Sequence, residues 1–262
     1  MAIVTTIKNR IYGDYLMLSR LREYERMLKK LSDNGYKHIA LREYKELLDN
    51  NELKKNKYFI NRHDIDTDIA TAKEFFKIEK KYNLKASYYF RLSTLDFEFM
   101  KEIEEYGSEA SYHFEEIAQY CKDNHIKSKD DVITEMENIK DIFKSNFKMI
   151  EEKLGYKLSS VCSHGDFINR KLNVINNEII KDKELRVELG IKCETYDKNI
   201  MESFDIYVSD RAYPQFYSPN SIFEYIGDKN IICMLSHPRQ WRTSIRCNTI
   251  DNIKRVYEGI KW

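Results

Sequence analysis

The sequence predicts an α/β protein, one domain in which parallel strands joined by helical crossovers curl into a closed or nearly closed barrel. Three observations predict it. Short strands rich in aromatic and β-branched residues alternate with amphipathic helical stretches along the 262 residues. Only three prolines and eight glycines interrupt them, which leaves little room for long loops. Several strands also end abruptly in histidine or aspartate, as expected of a barrel whose loops after the strands' carboxyl ends share one mouth.

Taken in order, residues 14–31 set Leu18, Leu21, Tyr24, Met27, Leu28 and Leu31 at helical spacing, so residues 1–34 read as a helical extension packed on the barrel. A strand over 38–41 follows Asn34-Gly35. The next, over 58–60, runs into Asn61-Arg62-His63-Asp64-Ile65-Asp66. Further helices are expected over 67–82, 96–106, 130–154, 220–226 and 249–260, and strands over 85–91, 109–115, 158–163, 206–208 and 231–235. Residues 170–200 mix helical and turn signals and receive no assignment.

Composition excludes some functions. Lys and Arg number 44 against 43 Asp and Glu, with no block of one sign, which argues against a nucleic-acid or anionic-membrane surface. The expected partner is small, or a carbohydrate for which some of the 19 tyrosines and 13 phenylalanines could form a platform. The five cysteines are odd in number, scattered and without a Cys-x-x-Cys pair, which points to free thiols in a reducing compartment and away from a cysteine-ligated zinc. With no apolar run suited to a signal peptide or a membrane span, the cytoplasm is the expected location.

The stretch 58–66 organises the rest. Along an extended chain residues two apart project to the same side, so Arg62, Asp64 and Asp66 share one face while His63 and Ile65 take the other. Taken alone, the two aspartates could simply cap the helix that begins near Thr67 and Asp68. The pattern recurs, however: the strands that follow deliver His113, His164 and His237, with Asp210 a fifth such position. Each histidine singly is more simply a packed core or loop residue. Jointly, two carboxylates and three imidazoles around one mouth suit a divalent metal, zinc above all, with a position left for water. A water made acidic in that way, with a base and an acid beside it, hydrolyses amides or esters.

Asn61-Arg62-His63-Asp64-Ile65-Asp66, then Ala86-Ser87-Tyr88-Tyr89-Phe90-Arg91, Gly107 to His113, Ser163-His164-Gly165 and Met234-Leu235-Ser236-His237-Pro238 resemble, in order, the motifs of the polysaccharide deacetylase superfamily (NodB-homology, carbohydrate esterase family 4). The resemblance covers about residues 35–241 and is strongest to the divergent branch with Arg-His-Asp-Val-Asp in its first motif. It implies a distorted (β/α)7-8 barrel that removes acetyl groups from N-acetylated sugars with a divalent metal, often zinc, held by one Asp and two His. Carried over by position, Asp64 is the catalytic base, Arg62 its partner, Asp66 and His113 metal ligands, and His237 the general acid. The family's second histidine, four residues after the first, is here Ile117; His164 is expected to replace it.

Asp210, Arg211, Arg239 and Trp241, just beyond strand ends, are expected to contact substrate, Trp241 by stacking on a sugar face. His63 and His125 are expected to be structural and loop residues. The expected substrate is an amino-sugar precursor, nucleotide-linked or lipid-linked, for a surface glycan. Two alternatives stay open: an amidohydrolase or deformylase acting on a non-sugar or formamido substrate, and an inactive glycan-binding relative in which Ile117 marks a lost metal.

Overall fold

A computed structural model of the chain describes residues 2–53 and 56–262. Nine strands form one sheet: β1 (Tyr36–Ile39), β2 (Lys57–Ile65), β3 (Ser87–Phe90), β4 (Glu109–Phe114), β5 (Ser160–Ser163), β6 (Cys193–Glu194), β7 (Ile206–Asp210), β8 (Tyr217–Ser218) and β9 (Ile231–Ser236). The order is β6-β5-β4-β3-β2-β9-β7-β8, and every pair is parallel except β7 with β8. The barrel expected from the sequence is thus an open, curled half-barrel, with β6 at one edge and β8 at the other. One flank of β2 is split. Lys57 to Ile60 pair with β1, Arg62 to Ile65 pair with β3, and β9 runs along the other flank from Tyr58 to His63.

The helices are α1 (Ala2–Ile11), α2 (Leu21–Asp33), α3 (Leu41–Asp49), α4 (Ile69–Lys81), α5 (Phe97–Glu105), α6 (Glu116–Asp123), α7 (Lys129–Thr134), α8 (Met136–Leu154), α9 (Phe167–Leu172), α10 (Lys183–Leu189), α11 (Lys198–Met201) and α12 (Ile245–Lys261). None is long and apolar enough to cross a membrane among the described residues.

Alternation along the strands builds two kinds of core. Inward-facing Ile60, Tyr89, Cys162 and Cys233 meet inside the curl with Leu41 and Tyr44 of α3. Outward-facing residues such as Phe90, Tyr112 and Phe114 lie under α5, α6 and α8, where Phe143, Phe147 and Ile150 form the buried stripe of the longest helix. Phe59, Val208, Ile232 and Met234 pack with Tyr24, Met27, Leu28 and Leu31 of α2, so the amino-terminal segment does contribute to a core.

Three predicted helices differ in the structure. The run expected over 14–31 is broken at Met17–Arg20, where the Arg20 amide donates to the Trp241 carbonyl at 2.7 Å and leaves Leu18 exposed. The run expected over 130–154 is interrupted at Glu135, whose carboxylate accepts from Tyr120 and Asn138. The unassigned stretch 170–200 holds the short helices α10 and α11 and the edge strand β6. The predicted helix over 220–226 is a single turn at Ile222–Glu224.

Beneath the site strand lies a buried charge. Glu79 of α4 is fully buried, and its carboxylate accepts from Tyr24, Asn61, His63 and Tyr88. A buried carboxylate is tolerable only when its lone pairs are filled in this way. His63 therefore faces away from the curl, as the period of two requires, and ties β2 to α2 and α4. His125, at φ 53°, is a left-handed loop residue.

Candidate functional site

The strands deliver the site residues to one end of the half-barrel. Asp64 is the penultimate residue of β2 and Asp66 lies just beyond it. His113 is near the end of β4, His164 follows β5, Asp210 ends β7 and His237 follows β9. Asp66, His164, Asp210 and His237 line one cavity of about 460 Å³.

Three donor atoms form a compact triangle. His164 Nδ1 lies 3.1 Å from Asp66 Oδ1 and 3.1 Å from His113 Nε2, and His113 Nε2 lies 3.3 Å from Asp66 Oδ1. Ligands 2.0 to 2.1 Å from a tetrahedral ion stand about 3.3 to 3.4 Å apart, so the triangle matches one face of such a site. Asp66 Oδ1 is buried with no hydrogen-bond partner, an orphaned acceptor that a cation would satisfy. His113 Nδ1 lies 3.0 Å from the Cys162 carbonyl; donating its proton there leaves Nε2 with a lone pair toward the triangle. Asn176 donates to the His164 carbonyl and holds the loop that carries this ring.

The electrostatics of the triangle demand positive charge. Burial opposes ionisation of Asp66, yet His164 and His113 hold its carboxyl well below the ordinary carboxylate range. Without an ion, burial likewise opposes charge on His113, but Cys162 and Asp64 outweigh it and hold its pKa well above the usual histidine value, so a cation would take the place of the Nε2 proton. The residues present therefore fit a divalent ion.

Two neighbouring clusters fit one less well. Asp64, His113 and Cys162 are close enough to share an ion, but Asp64 is already held by Arg62, and burial raises the pKa of the Cys162 thiol. Glu115, His164 and Asp166 also approach one another, but Arg91 clasps Glu115, and Asp166 caps α9 and pairs with Lys122.

Asp64 and Arg62 form a buried fork, Nε to Oδ1 at 2.8 Å and Nη2 to Oδ2 at 2.7 Å. Burial would raise the Asp64 pKa; the Arg62 charge, helped by His113, instead lowers it to about 2. Arg62 is steadied in turn by the Tyr196 hydroxyl and the Cys162 sulfur. His113 Nε2 stands 3.5 Å from Asp64 Oδ2, so Asp64 adjoins the triangle while its own oxygens are engaged elsewhere.

Across the cavity, Asp210 binds His237 twice, through the backbone amide and through Nδ1, both at 2.6 Å. Burial would lower the pKa of the imidazole, but the Asp210 charge overrides it and raises the value to about 9. His237 is protonated at neutral pH.

Among the four residues expected to touch substrate, only Arg211 stands exposed at the cavity. Asp210 is buried and serves His237. Trp241 cannot stack on a sugar: it is 0% exposed, sits against Tyr24 and Phe75, and donates its indole N–H to Asp210 at 2.9 Å. Arg239 reaches the cavity wall but is buried and bound by Asp14 and Asp251. Ile117, at the place of the family's second histidine, is buried in the apolar layer under α8 and offers no donor. The sequence reading missed Cys162, whose carbonyl orients His113, and the basic side chains on the cavity wall, which come from distant segments.

No protein-family model matches the chain. Among curated proteins it is 26% identical over 145 residues to a sel1-like repeat-containing protein of Acanthamoeba polyphaga mimivirus; the match takes in 53% of this chain and 23% of that protein's length. Solved structures similar to it include two from carbohydrate esterase proteins. One is a mutant of a CE4 family pseudoenzyme with restored enzymatic activity, at 15% identity and TM-score 0.41, covering 78% of this chain and 64% of the other. The second is the Xyl-CE4 domain of a multidomain xylanase from the hindgut metagenome of Trinervitermes trinervoides, at 12% identity and TM-score 0.35, covering 79% and 83%. The chemistry below rests on the side chains.

Proposed function

We propose that the protein is a metal-dependent hydrolase of the polysaccharide deacetylase type that removes an N-acetyl or other N-acyl group from an amino-sugar precursor of a surface glycan. The observation that carries this reading is the triangle of Asp66 Oδ1, His113 Nε2 and His164 Nδ1 beside an Arg62-bound Asp64. Asp66, His113 and His164 would hold the ion, zinc by their two-nitrogen, one-oxygen donor set, and it would supply Lewis acidity and a water acidic enough to attack at neutral pH.

The chain's own groups divide the proton work. Asp64, kept ionised by Arg62, accepts a proton from the attacking water. His237, kept protonated by Asp210, donates one from Nε2 to the leaving amine nitrogen. Asp210 is a positioning residue; its two bonds to His237 leave Nε2 free to turn toward the cavity.

Metal analysis of protein purified without chelator, followed by acetate release from N-acetylated sugars, tests the reading. About one equivalent of divalent ion and release that chelator abolishes are expected. Protein that takes up no metal on reconstitution would overturn it and favour the inactive glycan-binding alternative, which Ile117 motivates. Metal uptake with acyl release only from non-sugar amides or formamides would favour the amidohydrolase or deformylase.

A further inference from the structure

Five arginines, each from a different helix, turn or loop, line the cavity: Arg10, Arg170, Arg211, Arg239 and Arg255. Among the described residues, only two carboxylates pair with them. Asp14 is shared by Arg10 at 2.6 Å and Arg239 at 2.8 Å, and Asp251 is shared by Arg239 and Arg255. Arg170 and Arg211 are exposed and have no ion-pair partner among the described residues. The two carboxylates of the lining itself are committed, Asp66 to the histidine triangle and Asp210 to His237. The wall therefore carries excess positive charge, although the chain as a whole has a formal net charge of only +1.

No Phe, Tyr or Trp lines this cavity among the described residues, so the stacking platform that a neutral sugar polymer would use is not there. Guanidinium forks match the oxygens of a phosphate ester, and several forks on one wall suit a group bearing more than one charge. The crowding is felt by Arg10, whose pKa is lowered first by burial and then by the charge of Arg239. An anion seated there would relieve it.

We propose that the arginine wall binds a phosphate ester on the substrate, so that the hydrolase acts on a phosphorylated amino sugar and not on a neutral glycan. This rests on the hydrolase reading above and adds the substrate class. Arg170 and Arg211 hold the phosphate directly, while Arg10, Arg239 and Arg255 set the local field.

Calorimetric titration of chelator-stripped protein, which excludes phosphate–metal bonds, tests this with N-acetylglucosamine 1-phosphate against N-acetylglucosamine. The phosphate ester should bind at least about tenfold more tightly, with an advantage that shrinks as salt rises. The double variant Arg170→Gln/Arg211→Gln should lose most of that advantage, whereas Arg22→Gln, an exposed change on α2, should keep it. Equal binding of the neutral sugar, or undiminished phosphate binding by the double variant, would overturn the proposal.

UDP-N-acetylglucosamine and a short-chain polyprenyl diphospho-N-acetylglucosamine separate the two sources of such a phosphate. Tighter binding of one supports the proposal and names its carrier; equal binding of both, above the neutral sugar, supports it with the ester alone as determinant. Acetate release by zinc-loaded protein keeps the two readings apart. Release from neutral sugars at rates the double variant matches sinks the arginine wall and spares the hydrolase. Phosphate binding without release from any substrate does the reverse.

Discussion

Asp210 and His237 stand at the ends of adjacent parallel strands, and the carboxylate of one holds both the ring and the backbone amide of the other at 2.6 Å. The pairing converts an imidazole that burial would keep neutral into one charged up to about pH 9. Its sign is testable. In metal-free protein the His237 ring should titrate near pH 9 by NMR, and Asp210→Asn should lower that value, because burial is then opposed only by the more distant charges of Asp66 and Asp64. The alkaline limb of the rate profile should move down in the same variant. An unmoved titration would remove Asp210 from its positioning role.

Asp64 makes the opposite case, a buried carboxyl held to about 2 by Arg62. Asp64→Asn should lower kcat by about 100-fold or more while leaving metal stoichiometry unchanged. Arg62→Met should raise the acid limb of the rate profile as the Asp64 pKa climbs, and should cost about 3–5 kcal/mol of stability, because it strands a buried charge. Rate–pH profiles and urea unfolding read the two effects separately.

The triangle predicts which substitutions release metal. His113→Ala, His164→Ala and Asp66→Asn should each weaken zinc affinity by tenfold or more, measured by competition with a chromophoric chelator. Ile117→His placed on the His164→Ala background should not restore it, because position 117 faces the apolar layer under α8 and not the mouth. Full metal affinity in the His164→Ala protein would show that this ring is no ligand.

Glu79 should matter for stability and little for chemistry. Glu79→Ala leaves the donors of Tyr24, Asn61, His63 and Tyr88 without an acceptor and opens a cavity beneath β2. The expected loss is about 3–5 kcal/mol by urea unfolding. A loss below about 1 kcal/mol would mean that water replaces the carboxylate.

The strand ends were legible in the sequence because a two-residue period and a sudden charge after an apolar run are local signals. Arg62, Asp64 and His63 lie on the faces that period assigns them, and His113 and His164 meet at 3.1 Å although 51 residues separate them. Trp241 was misread because an aromatic beyond a strand end looks the same whether it faces solvent or a core. Its indole is claimed by Asp210, a partner 31 residues away. The arginine wall was invisible for a related reason: Arg10 and Arg255 reach the mouth only through the docking of α1 and α12, which no local pattern encodes. The helix break at Met17–Arg20 likewise depends on a distant carbonyl, that of Trp241.

The divided flank of β2 has a consequence for how the centre is assembled. With β9 on one side and β1 and β3 in relay on the other, the strand that bears Arg62 and Asp64 is latticed on both sides for nearly its whole length. A slip by one position would have to break three ladders at once and would turn the guanidinium and carboxylate outward. The backbone ladders therefore aim the Asp64 carboxylate in advance, so an ion held as proposed would spend little binding energy on shaping that side of the pocket.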